Sequence, residues 1–243
     1  DHRDLHSFPT RRSSDLPDGN LVTALADMAL YDLIPARRLL TSRLRRRLGQ
    51  AELLLMDSNL PESALAAMAE AASALGLPLA VIAVSPAKVV RWKQSLPKIA
   101  CLAMNEAEAA ALTGTQAQSP GDWQAALSAS GLKGGLVTAG AGPVAAFAAL
   151  PSATASTVLL PPPLDEVRDV VGAGDALASG YLDGWLSGSS MADSLTRGIA
   201  LARLTASVRG PVRRDLSREL LAQALKTMPK PAQFEIPAAG APA

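Results

Sequence analysis

Short apolar runs alternate along the chain with longer segments in which alanine and leucine recur at helical spacing. Six of the runs have the length and composition of buried strands: Leu21 to Asp27, Glu52 to Asp57, Pro78 to Val84, Ile99 to Met104, Gly135 to Ala139 and Pro143 to Ala149. Strands separated by helical segments are typical of a sheet with crossover helices, not of a bundle or a sandwich. The pattern therefore predicts an α/β fold with a doubly wound sheet and helices on both faces.

Four of the intervening segments predict amphipathic or glycine-bounded helices. They are Pro61 to Leu75, Asn105 to Leu112, Ala173 to Leu186 and Met191 to Val208. Asn59 is placed to cap the first of these helices, with Pro61 in its first turn.

A further helix is predicted from Pro35 to Leu48, and it carries six arginines. Such a density of arginine is one way to bind phosphate or nucleic acid. However, Leu40, Leu44 and Leu48 recur every fourth residue and form an apolar stripe. The pattern therefore favours a solvated arginine face opposite a stripe that packs on the core.

The composition restricts the class of partner. The 243 residues carry 23 basic and 22 acidic side chains, so no strong net field attracts nucleic acid or an anionic membrane. No apolar run approaches the roughly 18 residues needed to cross a bilayer. Cys101, the single cysteine, lies in an apolar run and is predicted to be a buried thiol in a reducing compartment. We expect a cytoplasmic protein that acts on a small molecule.

Residues 1–16 differ in composition from the rest of the chain. They are polar and rich in Arg and Ser, and the run from His6 to Leu16 resembles the translation of a sequencing-library adapter, so we expect an artefactual leader. Both histidines, His2 and His6, lie in it. The absence of other histidines argues against Ser-His-Asp or Cys-His catalysis and against His-ligated zinc. Residues 17–228 are expected to form one partial domain, followed by a disordered Pro/Ala-rich tail at 229–243.

The segment Gly-Ala-Gly-Asp at 172–175 follows a proline-rich loop and opens a predicted helix. The unpaired N–H groups of a helix N-terminus bind anions, and the small residues Gly172, Ala173 and Gly174 let the backbone approach a phosphate closely. These amides can face the charge on a phosphoryl group in transfer. Asp175 can accept the proton of an attacking hydroxyl. The alternative is that the four residues only begin a helix.

Two upstream motifs lie at the ends of predicted strands. Asn105 and Glu108 follow the strand that ends at Met104, while Thr138 and Gly140 belong to a Gly-rich turn. Each has a structural alternative, a capping box for the first and an ordinary turn for the second. Three motifs in this order are stronger evidence for a phosphoryl-transfer site than any one of them is alone.

Together the three motifs resemble those of the ribokinase-like (PfkB-type) kinases. The segment 172–175, with Asp169 three residues before it and an Ala/Gly-rich helix after it, is similar to the second signature of that family. The resemblance implies an ATP-dependent phosphotransferase with a ribokinase-like fold, in which Asp175 is the base and Glu108 helps to hold hydrated Mg²⁺. The nucleotide-binding residues that it implies are Asn105, Glu108, Thr138 and Gly140.

The same resemblance implies a site for a monovalent cation such as K⁺ beside the glycine loop. Its ligands would be Asp169 and the carbonyl of Val171. Val170 and Val171 stand where the family often has threonines, so side-chain contacts of that kind are not expected here. The anion site formed by the backbone does not depend on them.

Within the family, three stretches resemble pseudouridine kinases more than ribokinases or fructokinases. They are Val22 to Met28 with Tyr31 and Asp32, Asp57 to Pro61, and Val84 to Lys88. This resemblance implies phosphorylation of the 5′-OH of pseudouridine. Asp57 and Asn59, at the carboxyl end of a strand, are the candidate substrate-binding residues, although a helix cap and a turn are equally good roles for them. Ile82 and Ala83 replace an expected Asp-Pro.

The resemblance covers Asp18 to about Leu220 and lacks the first strand, the Gly-Gly substrate loop and most of the lid, on the order of 100 residues. In the family those parts hold most sugar contacts and the usual dimer contact, so a homodimer is expected only of the intact protein. Three functions stay open. They are a pseudouridine kinase, another ribokinase-like sugar kinase, and a nucleotide-binding fragment without catalysis.

Overall fold

The computed structural model describes residues 12–15, 21–25, 31, 34–117, 119–149, 154–164 and 166–233. Most of the predicted leader, the last two residues of the strand predicted at Leu21 to Asp27, and positions 234–243 of the predicted tail lie outside the described residues. Near the amino end, Arg12–Asp15 (β1) pairs antiparallel with Leu21–Leu25 (β2).

The main sheet has seven strands within the described part of the chain, arranged in sequence order. They are β3 (Leu54–Asp57), β4 (Leu79–Ile82), β5 (Cys101–Asn105), β6 (Gly134–Thr138), β7 (Val144–Ala149), β8 (Thr154–Leu160) and β9 (Ala232–Gln233). Strands β3 to β6 are parallel, and β6 to β9 pair antiparallel. The predicted α/β class is confirmed, and the parallel strands bring their carboxyl ends to one edge of the sheet.

Helices connect the parallel strands and follow the antiparallel ones. Their bounds are α1 (Ala36–Leu39), α2 (Ser42–Leu48), α3 (Glu62–Ala74), α4 (Pro86–Val89), a 3₁₀-helix at Val90–Lys98, α5 (Glu106–Thr113), α6 (Pro120–Ala129), α7 (Ala173–Leu186), α8 (Met191–Ala206) and α9 (Arg218–Thr227). The sequence pattern did not predict β1, α4, the 3₁₀-helix, α6, β8, α9 or β9, and β9 lies within the segment 229–243 that was expected to be a tail.

The single helix predicted from Pro35 to Leu48 is wrong, because the structure divides it into α1 and α2. Leu40 leaves helical geometry, and the hydroxyl of Thr41 caps α2 by accepting a hydrogen bond from the Leu44 amide at 3.3 Å. A threonine N-cap favours a new helix start over continuation. All six arginines are exposed and Leu48 is buried, as expected for a solvated face opposite a packed one.

The predicted cap of α3 by Asn59 is also wrong. Pro61 occupies the N-cap position and makes no side-chain hydrogen bond to the helix. The Asn59 side chain instead bonds to Asp57 at 2.6 Å and to Lys88 at 2.7 Å. Hydrogen bonds to charged groups are stronger than the one a neutral helix amide offers, which explains the preference.

Two separate cores lie on the two faces of the sheet. Alternate residues of the strands point to opposite faces, so Leu79 and Val81 of β4 join one core while Ala80 joins the other. The first core includes Leu65 and Trp92, on the side of α3, and the second includes residues of α7 and α8. The structure therefore has helices on both faces of the sheet, as predicted.

Helices α7 and α8 pack through their glycines. A Cβ on Gly180 would lie 2.8 Å from the Cα of Gly198, and one on Gly198 would lie 2.6 Å from the carbonyl oxygen of Leu177. A larger residue at either position would force the two helices apart. This close packing fixes the N-terminus of α7 against the end of α8, where the candidate site lies.

Candidate active site

Gly172 forms the N-cap of α7 in a conformation that suits only glycine. Its φ is +82°, and its carbonyl accepts the first helical hydrogen bond, from the Ala176 amide at 2.9 Å. The amide of Ala173 donates to the Val170 carbonyl at 3.2 Å within the turn. The Ala173 amide, one of those that the sequence assigned to the anion site, therefore already has an acceptor. The N–H groups that follow belong to the first helical turn, where N–H groups point out from the N-terminus.

Gly174 and Asp175 lie in the first turn of α7, as predicted. A Cβ on Gly174 would meet no atom within 4 Å, so open space lies directly in front of this backbone. Asp175 is exposed and occupies the third position of the helix. An anion facing this turn would interact with both the N–H groups and the helix dipole.

Asp169 anchors the glycine loop to the segment that follows α8. Its Oδ1 accepts a hydrogen bond from the Val171 amide and its Oδ2 accepts one from the Gly210 amide, each at 2.9 Å. The Arg168 amide also donates to the Ala206 carbonyl at 2.9 Å. These bonds give the Asp169 carboxylate a structural role. The assignment of Asp169 and the Val171 carbonyl to a monovalent cation stays a prediction.

The segment after α8 is in turn held by Arg213. Its guanidinium makes a bidentate pair with Asp215, at 3.0 and 3.1 Å, and donates to the Leu204 carbonyl at 3.3 Å and to the Ser207 hydroxyl at 3.2 Å. Bidentate geometry fixes the planar guanidinium more tightly than a single contact would. The loop that carries Gly210 is therefore tied to the end of α8.

Asn105 and Glu108 form a complete capping box at the start of α5. The Asn105 side chain accepts from the Glu108 amide at 2.9 Å, and Glu108 Oε2 accepts from the Asn105 amide at 2.8 Å. The structural alternative for this motif is therefore present. It does not use the whole carboxylate, because the second oxygen of Glu108 is not part of the box.

Glu108 is also electrostatically linked to Asp175. It is 5% exposed, and burial raises the pKa of its carboxyl, with a further increase from the Asp175 carboxylate and an opposing effect of the Asn105 amide. A cation between the two carboxylates would offset both the cost of burying the Glu108 charge and its repulsion by Asp175. The structure thus brings the Asn105/Glu108 motif and the 172–175 motif into the same region.

Thr138 ends β6 directly beside the capping box. It pairs in register with Asn105 of the adjacent strand β5. The following turn contains Gly140, with φ +61°, and is closed by a hydrogen bond from the Gly142 amide to the Ala139 carbonyl at 2.9 Å. A Cβ on Gly140 would meet nothing within 4 Å, so its surface is also open.

Two cavities meet at these residues. The smaller, of about 130 Å³, is lined by Glu108, by Asp175 and by residues at or just after the ends of β4 and β5, including Ile82 and Ala83. The larger, of about 600 Å³, lies between the Gly140 turn, the loop Pro161 to Leu164, and helices α7 and α8. Asn105, Thr138, Gly174 and Leu177 line both cavities.

The cavities differ in chemistry. The larger is mostly apolar, with Val144, Ile199, Ala202 and Ala206 among its walls, which suits a flat ring. The smaller contains two carboxylates and the N-terminal turn of α7. The arrangement can hold an aromatic base at one end and a reacting phosphate and hydroxyl at the other.

Asp57 and Asn59 lie at the same edge of the sheet but are not among the residues that line either cavity. Asp57 Oδ1 accepts from the Asn59 amide at 2.9 Å, and Lys88 donates to the Asn59 side chain. Arg91 donates to the carbonyls of Asn59 and Leu60 at 2.9 and 3.0 Å. This network gives the edge two cations that the sequence analysis did not assign to the site.

Beneath the network, the buried Trp92 indole donates to Ser58 Oγ at 3.1 Å. Elsewhere, the predicted burial of Cys101 is confirmed, and burial raises the pKa of its thiol to about 12. The thiol therefore stays protonated and unreactive at neutral pH.

Two further residues near the site were not identified from the sequence. Pro211 approaches Gly172 from the loop after α8, and Arg203 lines the larger cavity from α8. An arginine in the last turn of a helix is common, so nothing in the sequence distinguishes Arg203 from an ordinary surface residue. Neither residue could be connected to the site without the fold.

Within the described residues, no group of three or more His, Cys, Asp or Glu side chains is placed to hold a metal ion. A single carboxylate such as Glu108 fits Mg²⁺ that is bound mainly by phosphates and water. None of the described helices combines the length and apolar character needed to cross a membrane.

The family model for pfkB family carbohydrate kinases matches residues 31–216. The comparison with curated proteins found no match. Among solved structures, the chain is similar to a carbohydrate kinase from Agrobacterium tumefaciens, with 42% identity and a TM-score of 0.76 over 93% of this chain and 71% of that one.

Two further structures share the fold at lower identity. An Arabidopsis thaliana ribokinase complexed with ribose and ATP has 21% identity and a TM-score of 0.72, over 86% of this chain and 66% of that one. An adenosine kinase from Sinorhizobium meliloti has 22% identity and a TM-score of 0.64, over 90% and 66%. The chain thus spans about two thirds of these two proteins. The family match and the Agrobacterium relative establish that the chain belongs to the pfkB family of carbohydrate kinases.

Proposed function

We propose that this chain carries the phosphoryl-transfer part of an ATP- and Mg²⁺-dependent kinase whose acceptor is the 5′-OH of a nucleoside, namely pseudouridine. The observation that carries the proposal is the junction of the two cavities at Asn105, Thr138 and Gly174, with Asp175 in the smaller cavity and Gly140 in the larger. A base in the larger cavity would direct its phosphates toward the first turn of α7.

Asp175 is proposed to accept the proton of the acceptor hydroxyl as that oxygen attacks the γ-phosphorus. The new O–P bond forms while the bond from phosphorus to the bridging oxygen of ADP breaks. The proton stays on the Asp175 carboxyl until it is exchanged with solvent. The N–H groups of the first turn of α7 stabilise the negative charge on the transferred group.

Glu108 is proposed to help hold Mg²⁺, directly or through water, because its buried carboxylate shares the smaller cavity with Asp175. Bound to the phosphates, this ion would neutralise their charge. Its positive charge would also lower the raised pKa of Glu108. Asp169 and the Val171 carbonyl are proposed as ligands of K⁺ beside the loop.

The choice of a nucleoside acceptor rests on the stretches that resemble pseudouridine kinases. Two of them, Asp57 to Pro61 and Val84 to Lys88, are joined by the hydrogen bond between Lys88 and Asn59. We propose that Asp57 and Asn59 face the acceptor. Similarity to a protein named adenosine kinase agrees with a nucleoside acceptor, whereas similarity to ribokinase keeps a simple sugar as the second candidate.

A third candidate is nucleotide binding without transfer. It is supported by the share of a related kinase that this chain covers. The chain covers 71% of the Agrobacterium carbohydrate kinase, so part of a homologous acceptor site can be missing. Without a positioned hydroxyl, the advantage of an oriented attack is lost even where nucleotide binds.

A substrate panel separates these candidates. Transfer of labelled phosphate from ATP is measured with pseudouridine, uridine, ribose and fructose, both on this chain and on the chain extended by its upstream coding sequence. The proposal expects pseudouridine to be the preferred acceptor of the extended chain. Transfer to ribose or fructose but not to pseudouridine would reject it in favour of a sugar kinase. Nucleotide binding without transfer in both chains would favour the third candidate.

A further inference from the structure

Arg203 is the one charged residue among the described residues that line the larger cavity. It lies in the last turn of α8 and is half-buried. The neighbouring wall residues of the same helix, Ile199, Ala202 and Ala206, are apolar. A guanidinium in an apolar wall must be satisfied by hydrogen bonds, because burying it unpaired would be costly.

Two of its partners are main-chain carbonyls of the proline loop, Pro161 to Pro163. Nη1 of Arg203 donates to the carbonyl of Pro162 and, at 2.9 Å, to that of Pro163. Both prolines line the same cavity as Arg203. The guanidinium thus joins one wall of the cavity to another.

The described part of the proline loop has few backbone N–H groups that could attach it to another element. Proline lacks an N–H, so Pro161, Pro162 and Pro163 cannot donate to a neighbouring element. Among the described residues of 161–167, no backbone N–H donates to another element. The next amide along the chain, that of Arg168, donates to the Ala206 carbonyl. The hydrogen bonds that attach this loop therefore use its carbonyl oxygens, which accept from Arg203.

We propose that Arg203 is a positioning residue for the nucleotide: it holds the loop Pro161 to Pro163 as a wall of the base-binding cavity and thereby sets nucleotide affinity. The inference rests on the proposed function, since it takes the larger cavity to be the nucleotide site. Arg203 is not assigned any contact with the reacting phosphate. Its loss should therefore weaken nucleotide binding without changing the transfer step.

The test is calorimetric binding of a non-hydrolysable ATP analogue, with Mg²⁺, to the whole chain and to its Arg203→Met variant. Methionine keeps an unbranched stem but donates no hydrogen bond. Losing hydrogen bonds from a charged donor should raise Kd about tenfold. Arg203→Lys keeps a cation and one directed donor, and should recover part of the loss. If the methionine variant does not fold, the lysine variant still tests the claim through an intermediate Kd.

Arg197→Met is the matched control, because Arg197 belongs to the same helix and pairs with Asp183 at 3.2 Å. It should bind the analogue as the unmodified chain does. In the extended chain, Arg203→Met should raise KM for ATP and leave kcat unchanged, a split that general destabilisation would not produce.

The outcomes separate the two claims. A Kd in Arg203→Met or Arg203→Lys equal to that of the unmodified chain would overturn the positioning role alone. An equal loss in Arg197→Met would also overturn it, since the effect would then belong to the helix. No binding of the analogue by either the unmodified or the extended chain would contradict the proposed function, and this inference with it.

Discussion

The backbone of Pro211 occupies the position that a side chain on Gly172 would need. A Cβ on Gly172 would lie 2.1 Å from the Pro211 carbonyl oxygen, and the residue has a φ of +82°. Both the contact and the conformation therefore exclude other residues. The start of α7 is thus defined by a loop that lies 39 residues later in the chain.

Gly172→Ala should destabilise the protein. A left-handed conformation at a non-glycine residue costs about 1–3 kcal/mol and overpacking adds a similar amount, so we expect a loss of about 3 kcal/mol in the free energy of unfolding. Urea denaturation measures it directly. A change below about 0.5 kcal/mol, the size of an ordinary surface effect, would contradict the described contact.

Gly174→Ala is the matched variant two residues away, with the opposite expected result. Its Cβ would enter open space, and alanine is a better helix former than glycine, so stability should be unchanged or slightly higher. The methyl group would instead occupy the space proposed for the phosphate. We expect the affinity for an ATP analogue to fall about tenfold or more by calorimetry. Unchanged affinity would place the phosphate elsewhere.

Glu108 should make stability depend on pH. Its folded pKa is raised above the ordinary 4.5, so the folded state holds this proton more readily than the unfolded state does. Stability therefore falls as pH rises from 4.5 through the raised pKa, and the cost is fully present above that pKa. Glu108→Gln removes the charge, so its Tm should exceed the wild-type Tm at pH 7–8, by about 2–4 °C per kcal/mol gained.

The advantage of Glu108→Gln should disappear at acid pH, where Glu108 itself is protonated. Glu106, an exposed acid in the same helix, supplies the control, because Glu106→Gln should not produce this pH-dependent difference. A constant Tm difference between Glu108→Gln and wild type at all pH values would show that the carboxylate charge is not the cause. The same variant should also bind Mg²⁺-ATP more weakly than wild type.

Asn59 should affect the acceptor and not the nucleotide. Asn59→Ala removes the side-chain hydrogen bonds to Asp57 and Lys88 but leaves the Asn59 amide, which donates to Asp57, and the main-chain carbonyl that Arg91 contacts. We expect KM for the acceptor to rise about tenfold in the extended chain, with KM for ATP unchanged. A rise in KM for ATP alone would remove Asn59 from the acceptor side.

Local motifs allowed much of the site to be predicted. The capping box of Asn105 and Glu108, the glycine turn at Gly140 and the first turn of α7 depend on residues within a few positions of one another. Parallel pairing then brings Asn105 and Thr138 together, as expected from the ends of adjacent strands. Short-range chemistry and sheet topology are what a sequence displays most directly.

The rest depends on contacts between distant segments. Pro211 against Gly172, Gly210 with Asp169, and Arg203 with the proline loop each join residues about 40 positions apart. No periodicity reports such contacts. The cap assigned to Asn59 was wrong for the same reason, because Lys88, 29 positions later, competes for its side chain.

The central claim is that Asp175 is the base of phosphoryl transfer, and its most direct test is kcat of Asp175→Asn in the extended chain. Asparagine keeps the shape of the side chain and cannot take the proton, so kcat should fall by about 10² to 10⁴. Asp183→Asn, an exposed acid in the same helix, should keep wild-type kcat. Calorimetry should show that Asp175→Asn still binds the ATP analogue. A wild-type kcat in Asp175→Asn would contradict the account.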